Sequence, residues 1–379
     1  MPTYSYKCPS CSGPLEFKPE LGKLKCDYCG SDFTTEQIDE YIKNNPDKEI
    51  LVEKEDEAED LNSPLDEELN PEADIHQESG ETSEYDENID HMAGYNCQNC
   101  GAEVVTTDTT MTTFCYYCHS PVVITDRAQG EFKPSKLIPF KIDKKKAEDV
   151  FLNWAKSKRY VEKNFYSQSQ LEKITGMYLP YWSIDADFEI DLQGEAYKRT
   201  MYRRGDTEYT DTSSYKVDRI ANYKIANLSE VAYSKVDKQH LDSITPYNFE
   251  ESVPFRTYYL NGFFSETYDK NYDSVKDKLL SRAESLAKKS VTDSLSEYSS
   301  YNLSREEYQT KDLKKDYLLL PTWMMTYDYK DKKYIYAMNG QTGKAFGDLP
   351  IDNKLIVRDA LLIGLVAFIG ILLGGAFIW

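Results

Sequence analysis

Histidine is scarce in this chain of 379 residues, and its scarcity limits the chemistry the chain can perform. The four histidines are His76, His91, His119 and His240. None of them stands in a recognisable pair with a serine or cysteine nucleophile, and the carboxylates are too numerous to single out a catalytic set. We therefore predict that the protein is not an enzyme.

A surplus of basic residues is also missing. The chain has 45 Lys and Arg against 65 Asp and Glu, a net charge of −20. Nineteen of the acidic residues lie between Asp47 and Asp90 beside only Lys48 and Lys54, so the rest of the chain, with 46 acidic and 43 basic residues, is close to neutral. Because phosphates are attracted to basic surfaces and repelled by an acidic tether, nucleic acid is a disfavoured partner. Binding of nucleic acid remains the alternative function.

The first residues lack the signature of a secretion signal. Met1 to Lys7 contains neither an apolar core nor a basic flank. We therefore expect the cysteines to lie in a reducing cytosol, where the alternative of four disulfides is disfavoured.

All eight cysteines belong to one spacing that occurs twice. Each set consists of a C-x2-C knuckle, fourteen residues and a second C-x2-C knuckle. Two knuckles can surround one ion with a tetrahedron of thiolates. We predict two structural Zn²⁺ ions in closed sites that stabilise small zinc ribbons without performing chemistry. The predicted ligands are Cys8, Cys11, Cys26 and Cys29 in the first ribbon and Cys97, Cys100, Cys115 and Cys118 in the second.

A competing pattern lies inside the second ribbon. The sequence Cys115-Tyr-Tyr-Cys118-His119 has the form of a c-type haem attachment site, in which the histidine ligates iron. That arrangement leaves Cys97 and Cys100 without a role, whereas zinc uses all four thiols. We therefore interpret His119 as a turn residue of the knuckle, and we expect Gly30 and Gly101, which also follow knuckles, to supply positive φ angles.

Composition divides the chain into five segments. These are a zinc ribbon with a short helix at 1–45, an acidic linker at 46–94, a second ribbon at 95–130, an α+β domain at 131–352 and an apolar segment at 356–379. The linker has Tyr85 as its only aromatic residue before the ribbon and cannot bury enough apolar surface to fold, so we predict a disordered tether between two independent ribbons. Its charge is also compatible with attraction of a basic partner.

The segment 131–352 has the pattern of a mixed α/β domain rich in antiparallel strands. Apolar spacing predicts helices over 143–159 and 271–299. The clearest strand runs from Tyr178 to Leu192, with alternate apolar side chains on one side. We predict further short strands and loops over 195–232.

Two local patterns mark the same domain. Leu320-Pro-Thr-Trp echoes Leu179-Pro-Tyr-Trp and predicts a degenerate duplication of a strand that starts at a proline and buries a tryptophan. Residues 333–344 predict a strand, a turn and a returning strand. The turn sequence Gly340-Gln-Thr-Gly343-Lys344 lacks the first glycine and the final hydroxyl of a nucleotide-binding loop.

The C-terminal segment predicts a transmembrane helix. Ala360 to Trp379 is an uninterrupted apolar run whose helical length matches a hydrocarbon core. Lys354 and Arg358 precede it, which predicts a tail-anchored, single-pass protein of the cell membrane with cytoplasmic N-terminal domains and lipid around the helix. Gly370 and Gly374 predict a close helix contact in a homodimer. The predicted fold class is therefore α+β, with two zinc ribbons, the mixed domain and one membrane helix.

These features together resemble a bacterial family. The two ribbons, the Leu-Pro-x-Trp strand, the hairpin Asn339-Gly340-Gln341-Thr342-Gly343-Lys344 and the apolar C-terminus are similar to tail-anchored membrane proteins of the YdjG type, whose zinc ribbons are described as transcription-factor-IIB-like. Such proteins are often labelled by similarity to the primosomal replication-restart helicase. That label does not carry over to this chain, because only the cysteine knuckles match and a nucleotide-binding loop is missing.

The resemblance implies a role in recruitment. Proteins of this type are expected to bring a flotillin-like (SPFH) partner to the membrane, near proteins of the envelope stress response. We therefore predict a non-enzymatic membrane-anchored adaptor that binds a protein partner.

Overall fold

The computed structural model describes residues 3–4, 6–45, 92–97, 100–161, 173–329 and 332–378. Most of the predicted acidic linker, residues 46–91, lies outside these residues. The strands are β1 (Thr3–Tyr4), β2 (Glu16–Lys18), β3 (Lys23–Lys25), β4 (Asp32–Phe33), β5 (Met92–Asn96), β6 (Glu103–Thr107), β7 (Thr110–Phe114), β8 (Pro121–Ile124), β9 (Lys136–Leu137), β10 (Thr175–Arg204), β11 (Thr207–Val231), β12 (Val253–Pro254), β13 (Phe264–Glu266), β14 (Ser300–Tyr329), β15 (Lys332–Asn339) and β16 (Ala345–Gly347). The α-helices are α1 (Thr35–Asn44), α2 (Lys144–Ser157), α3 (Lys238–Ser243), α4 (Tyr272–Asp293) and α5 (Asn353–Ile378).

The architecture is largely β, which contradicts the predicted α+β class. One sheet of 11 strands dominates, and its main path runs β1-β8-β7-β13-β10-β14-β15-β16. A three-stranded sheet β2-β3-β4 and a two-stranded sheet β5-β6 belong to the two cysteine-rich segments. The helices at 144–157 and 272–293 confirm two predicted elements. Both helices pack on faces of the large sheet.

Three very long strands extend the sheet into an arm. β10 and β14 have 30 residues each and β11 has 25, so β10 spans about 100 Å at the usual rise per residue. β11 and β14 pair with opposite edges of β10 in antiparallel register. Helix α4 covers one face of the arm by packing its buried Val275, Leu279 and Ala283 against the even-numbered side chains of β10.

The prediction of short strands and loops over 195–232 is wrong. These residues form the end of β10, a turn at Gly205 with φ of 61°, and all of β11. The tip lies beyond the last pair with β14, between Tyr197 and Ser300, and almost all its side chains are exposed on both faces. A strand without a buried face lacks apolar alternation, so its sequence resembles a loop.

A duplication is present, as predicted, and it is larger than one strand. The repeated strands do not start at the prolines, because β10 starts at Thr175 and β14 at Ser300, and Trp182 is half-buried whereas Trp323 is buried. Each copy consists of a short strand, a helix, a long strand and a returning strand. The first copy is β9, α2, β10 and β11, and the second is β13, α4, β14 and β15. Leu179 lies opposite Leu320, and the short strand of each copy pairs in parallel with the long strand of the other.

The tryptophan of each repeat motif makes the same bond to the opposite copy. The Trp182 indole N–H donates to the Lys270 carbonyl at 2.9 Å, and the Trp323 indole N–H donates to the Ile142 carbonyl at 3.0 Å. Lys270 and Ile142 each immediately precede the residue that caps a helix, Asn271 for α4 and Asp143 for α2.

Backbone bonds around the prolines repeat in the same way. The Pro180 carbonyl accepts from Ala232, whose own carbonyl accepts from the N–H groups of 269 and 270. The Pro321 carbonyl accepts from Gly340, whose own carbonyl accepts from the N–H groups of 141 and 142. A β-carbon at Gly340 would lie 2.5 Å from the Phe140 ring, so the glycine permits this close approach.

The C-terminal helix does not meet the prediction made for it. Among the residues that the structure describes, no helix combines the length and apolar character required to cross a membrane. This finding contradicts the predicted anchor at 356–379, the tail-anchored topology and the single-pass location at the cell membrane. The contact through Gly370 and Gly374 stays a prediction.

Candidate metal centres

The four cysteine knuckles share one backbone geometry. In each, the N–H of the first cysteine donates to the carbonyl five residues later, and the N–H of the residue four positions later donates back to the cysteine carbonyl. The residue four positions after the first cysteine has a positive φ in every knuckle. These residues are Ser12, Gly30, Gly101 and His119. The turns therefore point both thiols of a knuckle to the same side. The positive φ angles predicted for the two glycines are confirmed.

Each predicted set of four thiols is brought together. Within each set all four sulfur atoms lie within 4.8 Å of one another. In the first ribbon the Cys8–Cys29 and Cys11–Cys26 sulfur distances are 3.7 and 3.5 Å. In the second ribbon the distances from Cys97 to Cys118 and from Cys100 to Cys115 are both 3.6 Å.

These distances fit a tetrahedral metal site. Four sulfur atoms about 2.3 Å from a central Zn²⁺ would lie about 3.8 Å apart, close to the observed separations. A disulfide would require about 2.05 Å, and all eight cysteines are free. His119 belongs to neither group of possible ligands and occupies the turn position that Gly30 and Gly101 occupy in other knuckles. The two tetrads can therefore hold metal ions, as the cysteine spacing predicts.

The two thiols of a knuckle differ in burial. The first cysteine of each is buried, whereas Cys11, Cys29 and Cys100 are exposed and Cys118 is half-buried. Hydrogen bonds with the side chain and backbone of Ser31 lower the pKa of the Cys29 thiol to about 6. A lowered pKa favours the thiolate form that binds a metal ion.

The first ribbon is joined to the large domain, which contradicts the expected independent unit. Its apolar residues Leu15, Phe17 and Leu24 are buried, and they belong to the main core. The Phe17 N–H donates to the Asn261 carbonyl at 2.9 Å, and the Asn261 side-chain amide donates to the Leu15 carbonyl at 3.2 Å. Phe17 also meets Tyr259 edge to face, with ring centres 5.1 Å apart.

The second ribbon is joined to the same domain through the sheet. Strand β7 pairs with β13, and β8 pairs with β1 from the start of the chain. Thr112 donates its hydroxyl to the Phe263 carbonyl at 2.9 Å. Both ribbons consequently contact the segment 257–267, which holds them on one body.

Exposed tyrosines mark the second knuckle of each ribbon. Tyr28 lies between Cys26 and Cys29 and is 74% exposed, and Tyr117 lies at the equivalent place in the second ribbon and is 75% exposed. The neighbouring Tyr116 is 73% exposed. These tyrosines are not among the residues predicted from the sequence, although the repeated Cys-x-Tyr-Cys pattern is a signal that could have identified them.

The remaining histidine of the large domain forms a buried polar contact away from the cysteines. His240 is 5% exposed and its ring nitrogens lie 3.2 Å from Asp237 and 3.0 Å from Asp348. The carboxylates contact opposite sides of the ring, so they do not converge on one ion.

The turn after β15 contacts the segment that follows α3. The Asn339 side-chain amide donates to the carbonyls of Ile244 and Pro246, and its oxygen accepts from the N–H groups of Gln341 and Thr342. The N–H groups that a phosphate loop would offer are thus used internally. Strand β16 follows the turn instead of a helix, in agreement with the rejection of a nucleotide loop.

Comparison with known proteins identifies one relevant relative. No protein-family model matches the chain, and no solved structure matches it. The chain is 32% identical over 231 residues to the uncharacterized protein YdjG of Bacillus subtilis (strain 168), covering 61% of this chain and 68% of YdjG. Given this coverage and the two cysteine tetrads found where the ribbons were predicted, the chain belongs to the same family as YdjG.

Proposed function

We propose that the protein is a non-enzymatic adaptor that binds a protein partner through two zinc ribbons of the transcription-factor-IIB type. The observation that carries this proposal is the presence of exposed tyrosines on the second knuckle of each ribbon. Four thiolates would complete the coordination of each Zn²⁺ and leave no position for a substrate. The ions then act by holding the surface that carries the tyrosines.

Tyrosine suits a protein contact at such a position. Its ring offers a large apolar area with few rotatable bonds, and its hydroxyl can form a hydrogen bond at the edge of the contact. Because a rigid knuckle positions the ring before binding, little conformational entropy is lost when a partner binds.

The charge around the ribbons supports a protein over nucleic acid. Residues 6–33 carry four basic and four acidic residues, and residues 100–124 carry Glu103 and Asp108 with no basic residue. Binding to a phosphate backbone needs clustered cations, which neither ribbon supplies. By its resemblance to proteins of the YdjG type, the candidate partner is a flotillin-like (SPFH) protein.

The test is direct binding between the purified full chain and a purified flotillin-like protein from the same organism. We expect Tyr28→Ala combined with Tyr117→Ala to weaken binding about tenfold or more, since buried interface tyrosines are frequent hot spots. Tyr301→Ala removes a tyrosine of β14 that is 43% exposed and serves as the matched control.

Equal binding by the double variant and the control would contradict a role for the ribbon tyrosines. If the full chain instead binds single-stranded or duplex DNA at physiological salt, and binds no flotillin-like protein, the alternative of a nucleic-acid-binding ribbon protein replaces the adaptor.

A further inference from the structure

The outer edge of β11 is a long strand edge without a partner in the described part of the chain. β11 pairs with β10 along one side and with no other described strand. Its register with β10 is regular from Thr207 to Ile225 and is then interrupted by an irregularity opposite Ile184–Ala186. An unpaired edge of this length presents backbone donors and acceptors that can pair with another strand.

Two charged residues of opposite sign lie at the middle of this edge. Lys216 and Asp218 are exposed, and neither forms a salt bridge within the described residues. Several charges on the same face of the arm are paired within the chain, including Lys224 with Asp187 at 3.0 Å, Arg305 with Asp191 at 3.3 Å and Lys311 with Glu189 at 3.2 Å. Glu195, which lies opposite Lys216, instead accepts a hydrogen bond from Tyr197.

Backbone geometry limits how such an edge can pair with a second copy of itself. Along an edge strand, the backbone N–H and C=O groups point outward at every second residue. In a hydrogen-bonded antiparallel pair, both residues direct these backbone groups toward the other strand. When two identical edges meet, paired residues must therefore be an even number of positions apart, and the two-fold axis passes through a residue.

An axis at Val217 makes the edge complementary to itself. Lys216 of each copy then lies opposite Asp218 of the other, so the dimer gains the same ion pair twice. The exposed Tyr215 lies opposite Arg219, and the paired region from 209 to 225 stays within the regular part of β11. Axes at the neighbouring positions 216 and 218 would instead place identical charges opposite each other.

We propose that β11 is a homodimer interface, in which two copies pair their β11 edges in antiparallel fashion about Val217. The two three-stranded arms then form one continuous six-stranded sheet, with α4 of each copy on its own arm. The contact is isologous, as in most cyclic dimers, and it closes on itself. It lies apart from both ribbons and leaves their tyrosines available.

The test uses charge reversal and mixing of differently tagged full-length chains. K216D places two aspartates opposite each other and D218K places two lysines opposite each other, so each variant alone should show a homodimer Kd raised about tenfold or more. A mixture of K216D with D218K restores both ion pairs, and we expect capture between the two variants to return to the wild-type level.

D211K is the control, because Asp211 lies on the same exposed edge but opposite Tyr223 about this axis. We expect D211K to self-associate like the wild type, and circular dichroism should show that all variants remain folded, since the altered side chains are exposed. A monomeric wild type, unchanged self-association of K216D and D218K, or failure of the mixture to recover would each overturn the proposal. Loss of self-association in D211K alone would move the axis and overturn the pairing about Val217.

Discussion

At the scale of single residues, the knuckle turns show how one backbone requirement is met by different side chains. Ser12, Gly30, Gly101 and His119 all adopt positive φ angles between 55° and 75°. Glycine does so at little cost, whereas a residue with a β-carbon pays a steric penalty. The histidine in the C-x-x-C-H sequence is therefore explained by its place in the turn, without a role in ligation.

This explanation predicts opposite effects of two substitutions. His119→Gly should retain two metal ions per chain and resist a competing chelator at least as well as the wild type, because glycine relieves the turn. Gly101→Ala should weaken metal retention by about 1 kcal/mol, since alanine is strained at a φ of 75°. Metal content and chelator competition are the measurements. Loss of one metal ion in His119→Gly would show that the histidine is a ligand.

At the scale of elements, a buried carboxylate joins the arm to two helices. Glu230 near the end of β11 has a side chain that is 3% exposed, and it contacts Lys238 of α3 at 3.1 Å, Lys278 of α4 at 2.6 Å and Arg282 of α4 at 2.8 Å. Burial raises the pKa of this carboxyl, but the bonds from Lys278 and Lys238 outweigh it and the pKa is lowered. Ionised Glu230 thus stabilises the packing of both helices.

Glu230→Gln should lower the free energy of unfolding by about 1–3 kcal/mol at pH 7. A lowered folded-state pKa contributes stability above the unfolded-state value of about 4.3, and this contribution is lost as the pH falls toward the folded-state value. The difference between wild type and variant should therefore shrink below about pH 4. Denaturant unfolding at several pH values measures it.

Glu284→Gln is the matched control for that measurement. Glu284 lies on the exposed side of the same helix α4, so its replacement should change stability by less than about 0.5 kcal/mol. An equal effect of both substitutions, or a difference independent of pH, would contradict the role assigned to Glu230.

At the scale of the whole molecule, the first cysteine tetrad is part of the fold of the large domain. Cys8 and Cys26 belong to the same core as residues of α2, β10 and β14. The ribbon also exchanges hydrogen bonds with Asn261. Loss of a metal ion from the first ribbon should consequently weaken the structure of the large domain where it contacts the ribbon.

Cys26→Ser should reduce the metal content from two ions to one and lower amide hydrogen-exchange protection over 257–263. Cys115→Ser in the second ribbon should also leave one ion but should lower protection mainly at β7 and β13, because those strands carry its contact with the body. Exchange measured by mass spectrometry distinguishes the two patterns. Unchanged protection at 257–263 in Cys26→Ser would mean that the first ribbon is independent after all.

Local patterns in the sequence were sufficient for the two cysteine tetrads, the strand from Tyr178, the helices at 144–157 and 272–293 and the duplicated Leu-Pro-x-Trp motif. In each case the chemistry depends on residues close in sequence: knuckle spacing sets which thiols converge, and apolar periodicity reports a single buried face. The repeated Cys-x-Tyr-Cys pattern could have identified the tyrosines of the second knuckles, but their exposure is a property of the folded surface.

Only the tertiary structure decided how these parts are joined. The arm has exposed side chains on both faces at its tip, so its strands there are specified by pairing across the turn at Gly205 and not by alternation. The ribbons are fixed to the body by contacts between residues more than 100 positions apart, such as Phe17 with Asn261. The membrane anchor was expected from an apolar run alone and is contradicted by the described helix. An apolar sequence indicates that its side chains favour burial, but the surrounding fold determines which residues cover them.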